Sequence, residues 1–598
     1  MDLIFPVLRA ITRRAKNDFI RKTQQLEAVQ ERFLLEMLRS HEETELGKKF
    51  GLGKITTVEQ FRDRVPILPY SSYDPYTERI AKGEQNILNP DPVIYVSLTS
   101  GSTGKRKRIP VTRRYQKNLA KPNLAAFGFA IEALEKRAKD TLRHHEGGTE
   151  GERPYHLPSY EGGTEGERPY HLPPYEGGKR SFKLGKVLNT NSINIQGITD
   201  GGINYGPVTV GSIRSNHLMY RPLLAMPYDC LKIADSVSRH YVCLLFALGN
   251  SAVGQIANNF PMLILRTCGY LEKYAAGLVA DLRRGAIADW VKIAPELRSQ
   301  LEQRLQANPQ CADRLEKILD SHGKLTPKLA WPDLALVLTA MGGTSDFYFQ
   351  RFPDYFGDTP IFGGVYGSAE GTFGIGYDLN QEGNILSIES GFYEFIPEED
   401  WDKDNPTTLL PTEVKIGQRY RMLVTSYSGI YRYDIGDVVE ILGFYEQTPI
   451  IVFRHRRGGL LSATTEKTTE FHATQVMQVL SQEFNLDLDD FCITLSDNEF
   501  PSRYLVNIEL TDRQTLDDPQ KFLQRFEYWL GEFNNPYTTV RSSEVPPPRL
   551  QILAPGSFAI VRQRQLNKGM SDGHLKIPHI SEDRGFLQGL DVVHKIEL

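Results

Sequence analysis

The segment Thr99-Ser100-Gly101-Ser102-Thr103-Gly104 sets four hydroxyls and two glycines in one short stretch, and Lys105, Arg106, Lys107 and Arg108 follow it directly. That combination suits a phosphate. Glycines let backbone amides approach an anion, hydroxyls donate to its oxygens, and cations offset its charge. The loop is not a P-loop of the pattern G-x-x-x-x-G-K-[ST]. Counting back from Gly104, Thr99 stands where the first glycine belongs and Arg106 where the Ser or Thr belongs. Four further segments carry side chains able to do chemistry: Gly342-Gly343-Thr344-Ser345, Tyr366-Gly367-Ser368-Ala369-Glu370, Tyr431-Arg432-Tyr433-Asp434-Ile435-Gly436-Asp437 and Gly573-His574-Leu575-Lys576-Ile577-Pro578. Each alone is a weak signal. A Gly-Gly after a strand or a lone Gly-Asp usually marks a turn, and a single lysine such as Lys576 is usually a solvated surface residue.

The elements that must hold these segments read as an α/β protein. Val93 to Leu98 is a buried-strand-like run leading into the hydroxyl loop. Leu334 to Thr339 and Ile361 to Tyr366 read as strands that end in Gly- and Ser-rich loops, with helices between them. In such folds ligands sit at the carboxyl ends of the strands. Residues 1–50 read as helices, with Leu26, Phe33, Leu34 and Leu38 at helical spacing, and Val65 to Pro69 reads as extended because each proline disfavours helix in its predecessor. Residues 385–453 switch to β, with Tyr420 to Thr425 and Val438 to Leu442 as separate strands between Gly-rich turns. After the basic run Arg454 to Arg457 come a helix over 466–485, strands at Phe491 to Leu495 and Tyr504 to Leu510, and a helix over 519–533. Asp518 caps that last helix, and Phe522, Phe526, Leu530 and Phe533 line one face. Two units are expected: 1–455 and a smaller α/β unit, 456–598, with a hinge in Arg454 to Gly459.

A near-identical 15-residue repeat interrupts the first unit. EGGTEGERPYHLPSY (146–160) recurs as EGGTEGERPYHLPPY (161–175), differing only at Ser159/Pro174. Its Gly-, Glu- and Pro-rich composition buries little apolar surface and reads as a solvated insertion, not as a solenoid or a metal site.

Bulk properties exclude several classes. A net charge of −4 argues against nucleic acid as a partner. Five scattered cysteines without a C-x-x-C pair argue against a disulfide framework or a zinc site and fit a reducing cytoplasm. The most apolar stretch, Tyr241 to Leu265, is broken by Gly249, Asn250, Gln255, Asn258, Asn259 and Pro261. It reads as a buried helix, not a membrane span.

Taken in order, the five segments resemble the adenylate-forming superfamily of acyl-CoA synthetases and luciferases. The stretches LTSGSTGKRKRIPVT, TELGKKFG, VYGSAEGTFGI, YRYDIGDVVEILGFYEQTPIIVFRHRRGGLLS and APGSF…GMSDGHLKIPH are similar to the auxin-responsive Gretchen Hagen family of acyl acid-amido synthetases, from about residue 40 to the C-terminus. The resemblance implies a large N-terminal adenylation domain with helix-flanked sheets and a β-rich subdomain, and a smaller, mobile C-terminal α/β domain. It also implies ATP and Mg²⁺. Thr99, Ser100, Gly101 and Gly104 would hold phosphates, with Ser102 and Thr103 as catalytic hydroxyl donors and Lys107 or Arg108 adding charge. Gly342, Gly343 and Thr344 would form the adenine loop and Tyr366 would stack on the base, with Gly367 and Ser368 beside it. Glu370 would ligate the metal. Asp437, with Asp434 as its rival, would accept the ribose hydroxyls, and Lys576 would reach the α-phosphate or the carboxylate. The implied reaction joins a small carboxylic acid to an amino acid through an acyl-adenylate, and no Ser-His-Asp or Cys-His arrangement contradicts it. A thiol acceptor such as coenzyme A is the alternative reading, and a non-catalytic nucleotide or acyl-acid binding protein is the third.

Overall fold

The computed structural model describes residues 4–99, 107–146, 184–343, 345–401, 403–456, 460–463, 466, 468–497, 499, 502–511, 514–534, 537–538, 541, 545–570 and 575–598. The repeat beyond Glu146, the hydroxyl loop from Ser100 to Arg106, Thr344, Gly458-Gly459 and Gly573-His574 lie outside them.

Four main sheets carry the chain. The first has the order β2-β1-β5-β4, with β1 (Val93–Thr99) and β2 (Lys107–Thr112) antiparallel, and β4 (Gly197–Ile198) and β5 (Asn204–Gly206) beside them. The second is parallel throughout, in the order β3-β6-β7-β8: Lys186–Leu188, Val253–Ala257, Leu336–Leu338 and Ile361–Phe362. The third has seven strands in the order β12-β13-β14-β15-β11-β10-β9. They are β9 (Val365–Ser368), β10 (Gly371–Ile375), β11 (Asn384–Leu386), β12 (Phe392–Pro397), β13 (Arg419–Ser426), β14 (Ile430–Tyr445) and β15 (Thr448–Arg456). After a short pair, β16 (Leu460–Leu461) and β17 (Thr468–Thr469), the last sheet runs β18-β19-β20-β21: Leu488–Leu495, Tyr504–Leu510, Arg549–Leu553 and Val592–Glu597.

Two cores follow from this layering. In one, the N-terminal helices pack on the seven-stranded sheet, and Leu26, Leu34 and Leu38 are fully buried there. In the other, helices Ser236–Leu248 and Pro261–Lys273 cover the parallel sheet, and the same core continues into the C-terminal unit through Leu480, Phe491, Val506, Phe522 and Phe526. Phe471 in helix Glu470–Glu483 marks another contact between the units. Its ring lies under the Arg419 and Arg454 guanidiniums, 5.2 and 5.5 Å from the centroid.

Three expectations need correction. Tyr241 to Leu265 is not one buried helix but the end of a helix, then β6, then the start of the next helix. An apolar run buried on every side has the same composition in either state. No helix among the described residues is long and apolar enough to cross a membrane. Ile361 to Tyr366 is not one strand. Gly364, at φ +61°, turns the chain out of β8 in the parallel sheet and into β9 of the seven-stranded sheet. Val438 to Leu442 is the middle of the 16-residue β14, which runs straight through Gly436-Asp437.

Buried histidines give this fold an acid limit. His41 is 1% exposed, with Nδ1 2.9 Å from the Tyr431 hydroxyl, and burial, reinforced by Arg114, lowers its pKa to about 4. Burial and Arg419 do the same to His455 and His472, each about 4. The unfolded chain binds protons at these sites near the ordinary 6.5. The stability from burying them neutral is therefore whole above pH 6.5 and is lost as pH falls toward 4, by about 1.4 kcal/mol per pH unit for each proton taken up. We expect the melting temperature to fall across that window, and His41→Asn to flatten the slope. An unchanged slope in the variant would count against His41 as a contributor.

Candidate functional site

The β1–β2 hairpin brings both ends of the hydroxyl loop to one place, because Thr99 pairs with Lys107. Lys107 opens β2, and its Nζ donates to the Tyr433 hydroxyl at 2.7 Å. The ammonium lies over two rings, 5.4 Å from the Tyr433 centroid and 5.8 Å from that of Tyr70. Tyr70 stands there because the extended Val65–Pro69 segment bridges to β14 at Leu68–Tyr433. Its hydroxyl also accepts the Arg108 N–H at 2.6 Å, tying the start of β2 to this wall. Burial lowers the pKa of Lys107. Glu370, Asp437 and Asp434 oppose that shift and Arg456 adds to it, so these charges share one field.

Glu370 occupies the turn between β9 and β10, where Ser368 pairs with Gly371. Ser368 Oγ donates to the carboxylate at 2.6 Å and accepts the Glu370 N–H at 3.2 Å. The backbone is pinned as well: Tyr115 donates to the Ala369 carbonyl at 2.9 Å and Ser426 to that of Glu370 at 3.2 Å. The result is a carboxylate 6% exposed, with one side-chain hydrogen bond among the described residues. Gly367 must stay small here, since an added Cβ would meet the Gly371 carbonyl at 2.9 Å.

Asp437 reaches the same place through a bulge. Leu423 pairs with Asp434 and Arg421 with Val438, so three residues of β14 pass one of β13, and Gly436 takes φ +78° within them. The bulge turns Asp437 inward, where it is 2% exposed. Its Oδ2 accepts from the Tyr366 hydroxyl at 2.7 Å and its Oδ1 from Arg456 Nε at 2.6 Å. Tyr366 lies on β9, four strand spacings from β14, about 19 Å across a flat sheet. A 2.7 Å contact over that interval requires the sheet to curl. Asp434, the rival for the ribose role, serves its own turn: it accepts the Gly436 N–H at 2.9 Å and pairs with Arg421 at 3.0 Å.

Gly342 and Gly343 follow β7 with φ +90° and +61°. The Gly343 N–H donates to the Phe453 carbonyl at 2.9 Å, and an added Cβ there would meet the Phe453 ring at 2.9 Å. The two glycines are small on that side because β15 fills it. Phe453 in turn lies 5.8 Å from Tyr366, centroid to centroid, which links this loop to the cluster.

The chain thus assembles Lys107, Tyr366, Ser368, Glu370 and Asp437 from three separated segments. Lys576 pairs with another carboxylate: among the described residues its ammonium lies 3.4 Å from Glu470 Oε2. Ser100, Gly101, Ser102, Thr103, Gly104 and Thr344, and the side chain of Thr99, are outside the described residues. Sequence reasoning missed Arg456, Tyr433 and Tyr115. Arg456 had been read only as part of a basic run near a hinge, and its pairing with Asp437, 19 residues earlier, comes from the β14–β15 register.

The donor set also bears on a metal. No group of three or more His, Cys, Asp or Glu side chains among the described residues could hold an ion alone. One fixed carboxylate fits Mg²⁺, which keeps several waters and takes substrate phosphate oxygens.

Comparisons with known proteins agree with this architecture. The chain matches the GH3 family N-terminal domain over residues 15–164 and 171–361, the central domain over 384–456 and the C-terminal domain over 471–585. It is 26% identical over 604 residues to the probable indole-3-acetic acid-amido synthetase GH3.12 of Oryza sativa subsp. japonica, covering 94% of this chain and 92% of that one. It is 25% identical to the 4-substituted benzoates-glutamate ligase GH3.12 of Arabidopsis thaliana, with 95% of each covered. Among solved structures, AtGH3.15 acyl acid amido synthetase in complex with 2,4-DB superposes with a TM-score of 0.81 at 21% identity, over 98% of this chain and 97% of that one. With family models matched along most of its length, the chain belongs to the GH3 family.

Proposed function

We propose that the chain is an ATP-dependent acid–amino acid ligase. The observation that carries this reading is the convergence of Lys107, Glu370, Tyr366 and Asp437 at the mouth of the hydroxyl loop, in a family whose relatives are named amido synthetases.

A carboxylate oxygen attacks the α-phosphorus of ATP, the bond to the β,γ-phosphates breaks and pyrophosphate leaves. The amine nitrogen of an amino acid then attacks the acyl carbon, the bond to AMP breaks, and the nitrogen gives up a proton. Both partners of the first step are anions, so charge offset and positioning dominate the barrier. Lys107 and the loop hydroxyls hold the phosphates. Tyr433 and Tyr70 fix the Lys107 ammonium, leaving N–H donors for the ligand. Glu370 would be the protein ligand of Mg²⁺, which when bound would offset phosphate charge. Asp437 keeps unused lone pairs after Arg456 and Tyr366 have bonded to it, and these accept ribose hydroxyls. Tyr366 presents its ring to the base. Residues 1–455 form the adenylation unit and 456–598 the unit that delivers Lys576, with the joint next to Arg456.

Asp437→Asn keeps the shape of the side chain and removes the charge. Hydrogen bonds to charged groups contribute about 1.5–3 kcal/mol, so the KM for ATP should rise roughly 10- to 100-fold, and the melting temperature should fall as well because Arg456 loses its carboxylate partner. An unchanged KM would remove Asp437 from the nucleotide site. Pyrophosphate release over a panel of carboxylic acids and amino acids tests the function itself. Turnover with coenzyme A but with no amino acid would replace the amide reading by the thiol one. Binding of ATP without turnover of any acid would leave a non-catalytic binder.

A further inference from the structure

Lys576 has an anionic partner in this structure, Glu470, which is none of the carboxylates assigned to the nucleotide. Glu470 is the first residue of helix Glu470–Glu483, where the helix dipole favours a negative charge. One carboxylate oxygen lies 3.4 Å from Lys576 Nζ, and the other accepts the His579 N–H at 2.9 Å. A single carboxylate therefore grips both ends of the Lys576–His579 segment.

The far end of the segment is fixed independently. The His579 side chain is fully buried, stacked on Phe491 at 4.1 Å between centroids and 17° between planes. It is bonded to Tyr348 at 3.2 Å and Thr474 at 3.3 Å, and lies 3.3 Å from Asp490. Lys576, with its side chain 34% exposed, is the loose end, and Glu470 is its ion-pair partner among the described residues. Burial pushes the Glu470 carboxyl up, but Lys576, His579 and the His579 backbone N–H outweigh it and hold it below the usual carboxylate range. Glu470 is thus held as an anion against the Lys576 ammonium.

We propose that Glu470 is a positioning residue for Lys576: it holds the ammonium in an ion pair and must release it before the acid is adenylated. The proposal rests on the role given to Lys576 above. An ion pair made before the reaction and broken during it stabilises the wrong state, so removing it should speed the first half-reaction.

The test uses the full chain. Glu470→Gln retains an acceptor for the His579 N–H and drops the charge. Carboxylate-dependent ATP–pyrophosphate exchange should rise about 2- to 5-fold, the scale of a partly exposed pair, and the gain should vanish in a Lys576→Ala background. Acylation of Lys576 by an N-hydroxysuccinimide ester, followed by mass spectrometry without any substrate, should rise by a similar factor relative to other lysines. Unchanged or slower exchange, with Lys576→Ala inactive, overturns the proposal. If Lys576→Ala is active, the role of Lys576 fails, and unchanged labelling then overturns the hold on its own. Should Glu470→Gln fold poorly, Glu470→Asp draws the charge back by one methylene and should give an intermediate rise in labelling. No rise there overturns the proposal as well.

Discussion

Lys576→Ala is expected to lower carboxylate-dependent ATP–pyrophosphate exchange roughly 10³-fold while ATP still binds, because one preorganised charge aimed at a developing anion contributes on that scale. The attacking carboxylate and the α-phosphate are both negative, and Lys576 is assigned to the point where they meet. In the proposed site Lys107 and the loop address phosphates, and Glu370 and Asp437 are themselves anions, so the task falls to Lys576. ATP affinity should survive, since among the described residues the Lys576 ion pair is with Glu470 and not with Glu370 or Asp437. The fold should survive as well. The side chain is 34% exposed, and its ion pair with Glu470 is at a distance where exposed pairs contribute little. Exchange at constant enzyme, with melting temperature and ATP binding measured in parallel, separates the outcomes. Near-normal exchange would remove Lys576 from the chemistry, whereas loss of exchange together with ATP binding would indicate damage to the fold.

The same comparison shows what a sequence can carry. Elements with strong local signals were legible: helix Pro519–Phe533, whose cap Asp518 accepts the Lys521 N–H at 2.9 Å, and strands β7, β18 and β19. The segments that carry Lys107, Tyr366, Glu370 and Asp437 stood out in the sequence because glycines and hydroxyls cluster there. What escaped was set by register and curvature. Gly436-Asp437 has the composition of a turn but lies in a bulge of one long strand, held by partners on both sides. Arg456 faces Asp437 through a 19-residue hairpin, and Tyr366 reaches it across a curled sheet. Neither pairing has a local spacing to read. Lys576 shows another limit: its position depends on how two units dock, through contacts such as Tyr348 with His579.

Arg432→Ala should be the most destabilising substitution near the site, by about 3–5 kcal/mol, although Arg432 sits in the segment that supplies Asp437. Its Nε and Nη2 each bond to Glu394 at 2.8 Å, and its Nη1 donates to the carbonyls of Arg62 at 2.6 Å and Val65 at 2.8 Å. The two side chains are 7% and 1% exposed. Removing one partner of such a pair leaves a buried charge, which accounts for the magnitude. Arg62 Nε, 3.5 Å from Glu394, is too far to take over the bidentate role. Arg432 also holds a φ of +44°, a conformation costly to any side chain, and its N–H donates to Thr425 Oγ1 at 2.7 Å. The guanidinium therefore bolts the 62–65 segment to β12 and β14. Because the chain has two units, hydrogen exchange resolved to β12, β13 and β14 is the measurement that isolates this effect. Replacing both Arg432 and Glu394 by Met should cost less than Arg432→Ala alone, since no charge is then stranded. Equal protection in wild type and Arg432→Ala would mean that the pair is a bystander. Loss of protection in β14 together with weaker ATP binding would instead tie the bolt to the nucleotide site, through the strand that carries both Arg432 and Asp437.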